Sequence, residues 1–235
     1  MTTTSDTNFA KTNPGVRGDA RRRRSAERDY VLREAECYGK QGIAMESVPQ
    51  LNLRQIVQAL EDILGRPSRW NEKAYIARSL SFGGAAHYDG SISISEYAVA
   101  DPDLRWRTMI HEALHTFSPQ YSHPQYIAAR GWEEGVVEQM QRLLRPDVSA
   151  ALQVSINEVV VAEAEVNHPY NVYITALEDL RERLGDSQMS FYRLLLAAPL
   201  PERALLLKRS SILLADQERQ SFLTAWPKAV LAFSR

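Results

Sequence analysis

Thr108-Met109-Ile110-His111-Glu112-Ala113-Leu114-His115-Thr116-Phe117 carries the pattern HExxH. On a helix, two histidines four apart stack on one face, so His111 and His115 can each aim an imidazole nitrogen at one metal ion. They supply two of the three protein ligands that a catalytic zinc needs. Glu112 stands beside the open coordination position, where a carboxylate takes a proton from water. Met109, Ile110, Ala113, Leu114 and Phe117 add apolar flanks. A buried helix is expected here, and burial makes two imidazoles and a carboxylate costly without a use. Hydrolysis is the leading chemistry, and a third ligand is expected downstream.

Gly131-Trp132-Glu133-Glu134-Gly135-Val136-Val137-Glu138 offers that ligand, with eighteen residues between His115 and Glu134. This spacing, with the Trp-x-Glu-Gly pattern, resembles the gluzincin zinc metallopeptidases, particularly the catalytic core of the aminopeptidase and leukotriene-hydrolase branch. In that group the glutamate before the glycine is the third zinc ligand, so the resemblance implies Glu134 rather than Glu133. Glu138 follows one helical turn later on the same face. A carboxylate there can accept the second N–H of a ligand histidine and fix its tautomer, as an acidic residue at this offset does in thermolysin-like relatives. Without the motif, Glu133, Glu134 and Glu138 would pass for a solvated helix face. A metzincin would need glycine at 118 and histidine at 121, where this chain has Ser118 and Tyr121. His123 is a candidate substitute ligand, but its place in the loop from Ser118 to Pro124 makes it rather a loop or substrate-contact residue.

The resemblance covers roughly residues 85–185 and implies a zincin-like α+β fold: a small mixed sheet packed on the active-site helix, then a mainly helical C-terminal half. Strands are expected over 73–82 and 85–95, with Asp89-Gly90 as a two-residue hairpin turn. Ser91-Ile92-Ser93-Ile94-Ser95 alternates, so Ile92 and Ile94 should be buried and the serines left on a polar face beside an open edge. In zincins such a strand pairs with an extended substrate, which implies a protein or peptide substrate. The Gly-x-Met-Glu-Asn signature of aminopeptidases is not reproduced at residues 81–86. Endopeptidase rather than aminopeptidase cleavage is therefore expected. Asn167-His168-Pro169-Tyr170 ahead of a helix ending Leu184-Gly185 is similar to the segment that carries the transition-state tyrosine in the same branch. Tyr170 is the candidate for donating to the oxyanion, with His168 its rival and Tyr173 a lesser one.

Four segments follow: a polar tail (1–27), an N-terminal helical region (28–70), the catalytic core (71–185) and a helical extension (186–235). The tail ends in Arg21-Arg22-Arg23-Arg24, a solvated charge run by preference. Residues 26–38 are weakly helical. A helix over 53–64 is expected, capped by Asn52, with Ile56, Leu60, Ile63 and Leu64 as its apolar stripe and Gly65 as its stop. Asp101-Pro102 should open the motif helix over 103–117, with Trp106 a buried anchor. The second ligand helix should span 131–144 and stop before Pro146, and 148–166 should form one further helix. In the extension, Phe191, Leu194, Leu195 and Leu196 form an apolar cluster; 205–207, 212–214, Phe222 and Leu223 read as core-facing stripes; Trp226-Pro227 ends the last helix.

In 235 residues, 28 basic against 29 acidic side chains leave a formal net charge of -1, so no global field draws the chain to nucleic acid or membrane. No nucleic-acid partner is expected save through the Arg21–Arg24 tail. One cysteine, Cys37, fits a reducing compartment. No signal peptide or membrane span is seen, and a cytoplasmic location is expected. The expected activity is that of a zinc-dependent metallopeptidase with one zinc ion on His111, His115 and Glu134, and Glu112 as its base. The alternative is a zinc-stabilised, non-catalytic protein-interaction module, although structural zinc usually has four closed ligands, often cysteines.

Overall fold

The structure, a computed structural model, describes residues 43–44, 48–77, 83–220 and 222–223. The arginine tail, Cys37, the segment 26–38, residues 78–82 and Trp226-Pro227 lie outside them. The described residues belong to one compact unit. Their architecture is mixed α+β, mainly helical with a small sheet.

Strand β1 (Ile43–Ala44) precedes helix α1 (Val48–Leu64). The helix starts earlier than its expected cap, so Asn52 lies inside it. Leu53, Ile56 and Leu60 form its buried stripe, and Gly65, at φ +68°, ends it. Strands β2 (Ala74–Ala77), β3 (Gly84–Ala86) and β4 (Ile92–Ser95) complete the sheet in the order β1-β2-β4-β3. Only β2 and β4 run parallel. Strand β4 is thus interior, contrary to the expected open edge, and its serines are as buried as Ile92 and Ile94. They are satisfied locally: Ser93 Oγ lies 2.7 Å from His87 Nε2, and Ser95 Oγ accepts from the Ala98 N–H. The edge belongs to β3.

The β3–β4 connection also differs from a two-residue turn. Ala86 pairs with Ile92, leaving five residues, 87–91, in the loop. Asp89 stabilises it by accepting from the Ser91 N–H and hydroxyl at 2.9 and 2.7 Å. Gly90 is needed twice over, because its φ is +87° and a Cβ would lie 2.2 Å from the Arg69 carbonyl.

After the short helix α2 (Glu96–Ala100), helix α3 (Leu104–His115) carries HExxH. Asp101 Oδ1 accepts the N–H groups of Asp103 and Leu104 at 3.0 and 2.8 Å, as a capping carboxylate should. Trp106 is buried, and so is every residue from Thr108 to His115.

Helix α4 (His123–Leu152) is thirty residues long. It starts two turns before the expected 131 and runs through Pro146, which would disrupt a helix by roughly 3 kcal/mol in isolation. Packing holds the turn together: Leu144 and Val148 are buried, and Arg145 pairs with Glu158 and Glu165 at 2.7 and 2.6 Å. Gln153, at φ +55°, closes α4, so the single helix expected over 148–166 is two. Helix α5 (Glu158–Val166) restarts at Asn157, whose side chain accepts the Val159 N–H.

Helices α6 (Asn171–Leu184), α7 (Gln188–Ala197) and α8 (Leu200–Ser210) follow, then a 3-10 turn at Ser211–Leu213. Leu195, Leu196, Leu207, Leu214 and Phe222 face the core, whereas Leu194, Leu205, Leu206, Ile212 and Leu213 are exposed. The apolar runs read as core stripes are therefore only half buried. Helix α4 is central, packing on α1, α3, α6, α7 and α8. Tyr173 of α6 lies across its Gly131 and Gly135: a Cβ on Gly131 would stand 2.1 Å from the tyrosine ring, one on Gly135 2.7 Å from the Tyr173 Cβ. Among the described residues no helix is long and apolar enough to cross a membrane.

Candidate metal centre

Helices α3 and α4 pack side by side and bring three donor atoms together. His111 Nε2 and His115 Nε2 lie 3.2 and 3.4 Å from the same oxygen, Oε2 of Glu134. The three residues are buried, and their ligand atoms all fall within 4.8 Å of one another. Four ligands at about 2.0–2.1 Å around a tetrahedral ion are separated by roughly 3.3 Å. Both imidazole nitrogens thus stand from Glu134 at the spacing of neighbouring ligands on one metal ion, and the group could hold one.

Each imidazole is gripped from behind. His111 Nδ1 lies 3.0 Å from Glu138 Oε2, and His115 Nδ1 lies 2.8 Å from Glu133 Oε1. With Nδ1 engaged, Nε2 is the atom left to each ring for a metal. Each carboxylate is in turn tied to arginine. Glu138 Oε1 meets Arg107 at 2.6 Å and Arg142 at 3.1 Å, and Glu133 Oε2 pairs with the buried Arg203.

Charge completes the case. Burial alone would drive both histidines to the neutral form, but hydrogen bonds that the His111 ring donates to Glu134 and Glu138 hold it up at about 9. His115 is raised well above its usual value, with burial again opposed by Glu134 and Glu133. Glu134 sits well below the usual carboxylate range, because the two histidines outweigh its burial. Both imidazoles are thus drawn toward the protonated form, two positive charges among the carboxylates. One divalent cation carries the same charge.

Glu112, also on α3, lies close enough to His111, His115 and Glu134 to feel their charges. Burial raises its carboxyl above the usual range, partly opposed by His111 and His115, and it accepts a hydrogen bond from the Ala86 N–H of β3. The contact depends on Gly84, where a Cβ would stand 2.7 Å from Glu112 Cγ. Tyr170, at the start of α6, stacks on His111 with ring centroids 5.9 Å apart and hydrogen-bonds to Glu134. His168 lies behind it, ring to ring at 4.7 Å, and burial lowers it to about 4, leaving it neutral. Tyr173 is in the core against Trp132. His123 stands outside the ligand group, beside the Tyr88 hydroxyl at 3.1 Å.

Three residues at the centre were not legible as such. Glu133 looks like a duplicate of its neighbour until its oxygen is seen on His115. Arg203 is seventy positions away in sequence. Tyr126, whose hydroxyl donates to Glu134 Oε1, lies two turns upstream on the same helix face. That periodicity is visible in the sequence, but only to a reader who starts α4 at His123. Burial and Glu134 push the phenols of Tyr126 and Tyr170 well above their usual range, so both keep their protons as donors. Compared with known proteins, the chain matches no protein-family model, no curated protein and no solved structure.

Proposed function

We propose that the chain is a zinc-dependent metallopeptidase of the gluzincin type, zincin-like in its fold, that cleaves internal peptide bonds. The observation that carries this reading is the convergence of His111 Nε2, His115 Nε2 and Glu134 Oε2 beside a carboxylate, Glu112, that is not among the ligands. Two nitrogen donors and one oxygen suit zinc and leave a position open. Bound there, zinc supplies Lewis acidity and a water that ionises near neutral pH.

The rest falls to the chain. Glu112, with a carboxyl raised by burial, has the basicity to take the proton from the attacking water and return it to the leaving amine. Tyr170, protonated and stacked on His111, would turn its hydroxyl from Glu134 to the oxyanion, and neutral His168 supports it by accepting the Tyr170 N–H at 3.4 Å. Strand β3 offers the backbone. The bonds from Ser95 N–H to the Gly83 carbonyl and from His87 N–H to the Ser91 carbonyl turn positions 83 and 87 toward β4. Alternation then turns Gly84 and the Ala86 carbonyl toward the outer edge, where an extended peptide can pair, while the Ala86 N–H is taken by Glu112.

Zinc-loaded wild type and Glu112→Gln, incubated with a diverse peptide mixture and read by mass spectrometry, test the proposal. New internal termini from wild type alone are expected. No cleavage by zinc-loaded wild type, or equal cleavage by both, would contradict it. The former result would favour a zinc-stabilised interaction module.

A further inference from the structure

Arg203 is the largest fully buried side chain among the described residues. It comes from α8, in the part of the chain where no site residue was expected. Its guanidinium pairs with Glu133 Oε2 and stands 3.3 Å from Ser118 Oγ and from the carbonyls of Leu196 and Ala198. The other oxygen of Glu133 meets His115 Nδ1 at 2.8 Å and accepts the Ser118 hydroxyl at 2.7 Å. A buried ion pair gives little net stability compared with apolar side chains of the same size. Its distinctive feature here is where it ends, on the ring of a metal ligand.

We propose that Arg203 is a positioning residue of the metal centre, acting through Glu133 on His115. With its charge balanced by the guanidinium, Glu133 holds the His115 Nδ1–H and leaves Nε2 to the metal. Without Arg203 a bare buried carboxylate remains next to the ligand set, free to turn from the ring or to compete for the cation. His111 is less exposed to such a loss, because two arginines, Arg107 and Arg142, share Glu138. Helix α8 is thereby part of the metal site. The inference rests on the metal-site reading and is independent of hydrolysis.

Zinc dissociation constants from chelator competition, with imidazole nitrogen NMR spectra of the loaded proteins, provide the test across wild type, Arg203→Met, Glu133→Gln and the double variant. Arg203→Met is expected to weaken zinc binding about 10- to 100-fold, the range for partners of ligand residues, and to shift or broaden the His115 Nδ1–H signal. On top of Glu133→Gln it should cost less than about threefold more, because the relay is already cut. Unchanged affinity in Arg203→Met, or an equal loss in both backgrounds, would overturn the inference. If Arg203→Met does not fold, Arg203→Gln, which removes the charge but keeps a polar amide at the site, replaces it. A loss confined to the wild-type background supports the relay, and an equal loss in both backgrounds or none in either overturns it. Failure of wild type to bind zinc would sink the metal-site reading instead.

Discussion

Glu134 turns one oxygen to two imidazoles while Tyr126 donates to the other, and Tyr170 also hydrogen-bonds to the carboxylate. Its removal should therefore be felt at the metal before anything else. Glu134→Ala is expected to weaken zinc binding by more than about a hundredfold, beyond the range for residues that only support ligands, as measured by chelator competition. Gly84 makes the opposite prediction. A methyl there would collide with Glu112 and not with the three ligands. Gly84→Ala should keep zinc within about threefold but lower the rate of peptide cleavage at least about tenfold, the order expected when a general base is displaced. Full activity in that variant would mean that Glu112 does not need its present position. At this scale the sequence was most readable where chemistry imposes a spacing. His111 and His115 follow from helical spacing and Glu112 from the motif they frame, whereas Glu134 was set apart from Glu133 only by the family resemblance, with Glu138 one turn beyond it. Glu133 needed the ring it binds, and Arg203 needed the fold.

Helix α4 carries one donor of the metal group and both carboxylates behind the histidines, so its seating decides the site. Gly131 and Gly135 let Tyr173 lie against it, with no room for a side chain at either position. Gly131→Ala is expected to destabilise the protein by about 1–3 kcal/mol through overpacking, read as a lower urea midpoint. An unchanged midpoint would mean that α6 sits elsewhere. The existence of α1 was legible from its apolar stripe and the Gly65 stop, that of α3 from HExxH and its apolar flanks, and those of α4 and α6 from the family resemblance, with Gly185 as a stop. Their limits were less so. Pro146 looked like an end, but tertiary contacts through Leu144, Val148 and Arg145 carry the helix past it. The valines of 148–166 looked continuous, although Gln153 and Asn157 divide them. The Ser-Ile alternation of β4 looked half-solvated, but the neighbouring strands and helices bury both of its faces.

For the molecule as a whole, the site couples metal, protons and stability. In the metal-free protein His111 is held at about 9, above the roughly 6.5 of an unfolded chain. The stability it contributes is fully present below that unfolded value and is lost as pH rises through about 9. Metal-free protein should therefore lose stability between these limits, and zinc, which replaces the protons, should remove that dependence. Zinc uptake at pH 7 should release about two protons, measurable by calorimetry in buffers of different ionisation enthalpy. Release of none would mean that the imidazoles are neutral without metal. Stripping the ion from protein kept in free zinc at a hundred times the dissociation constant should cost about 2.7 kcal/mol of stability.

Anomalous diffraction at the zinc edge, from crystals grown with one equivalent of zinc, asks most directly whether these three side chains form a metal centre. A single strong peak bonded to His111 Nε2, His115 Nε2 and Glu134, with no fourth protein ligand, is the predicted result. A peak elsewhere, a site closed by a fourth side chain, or no bound zinc would contradict it.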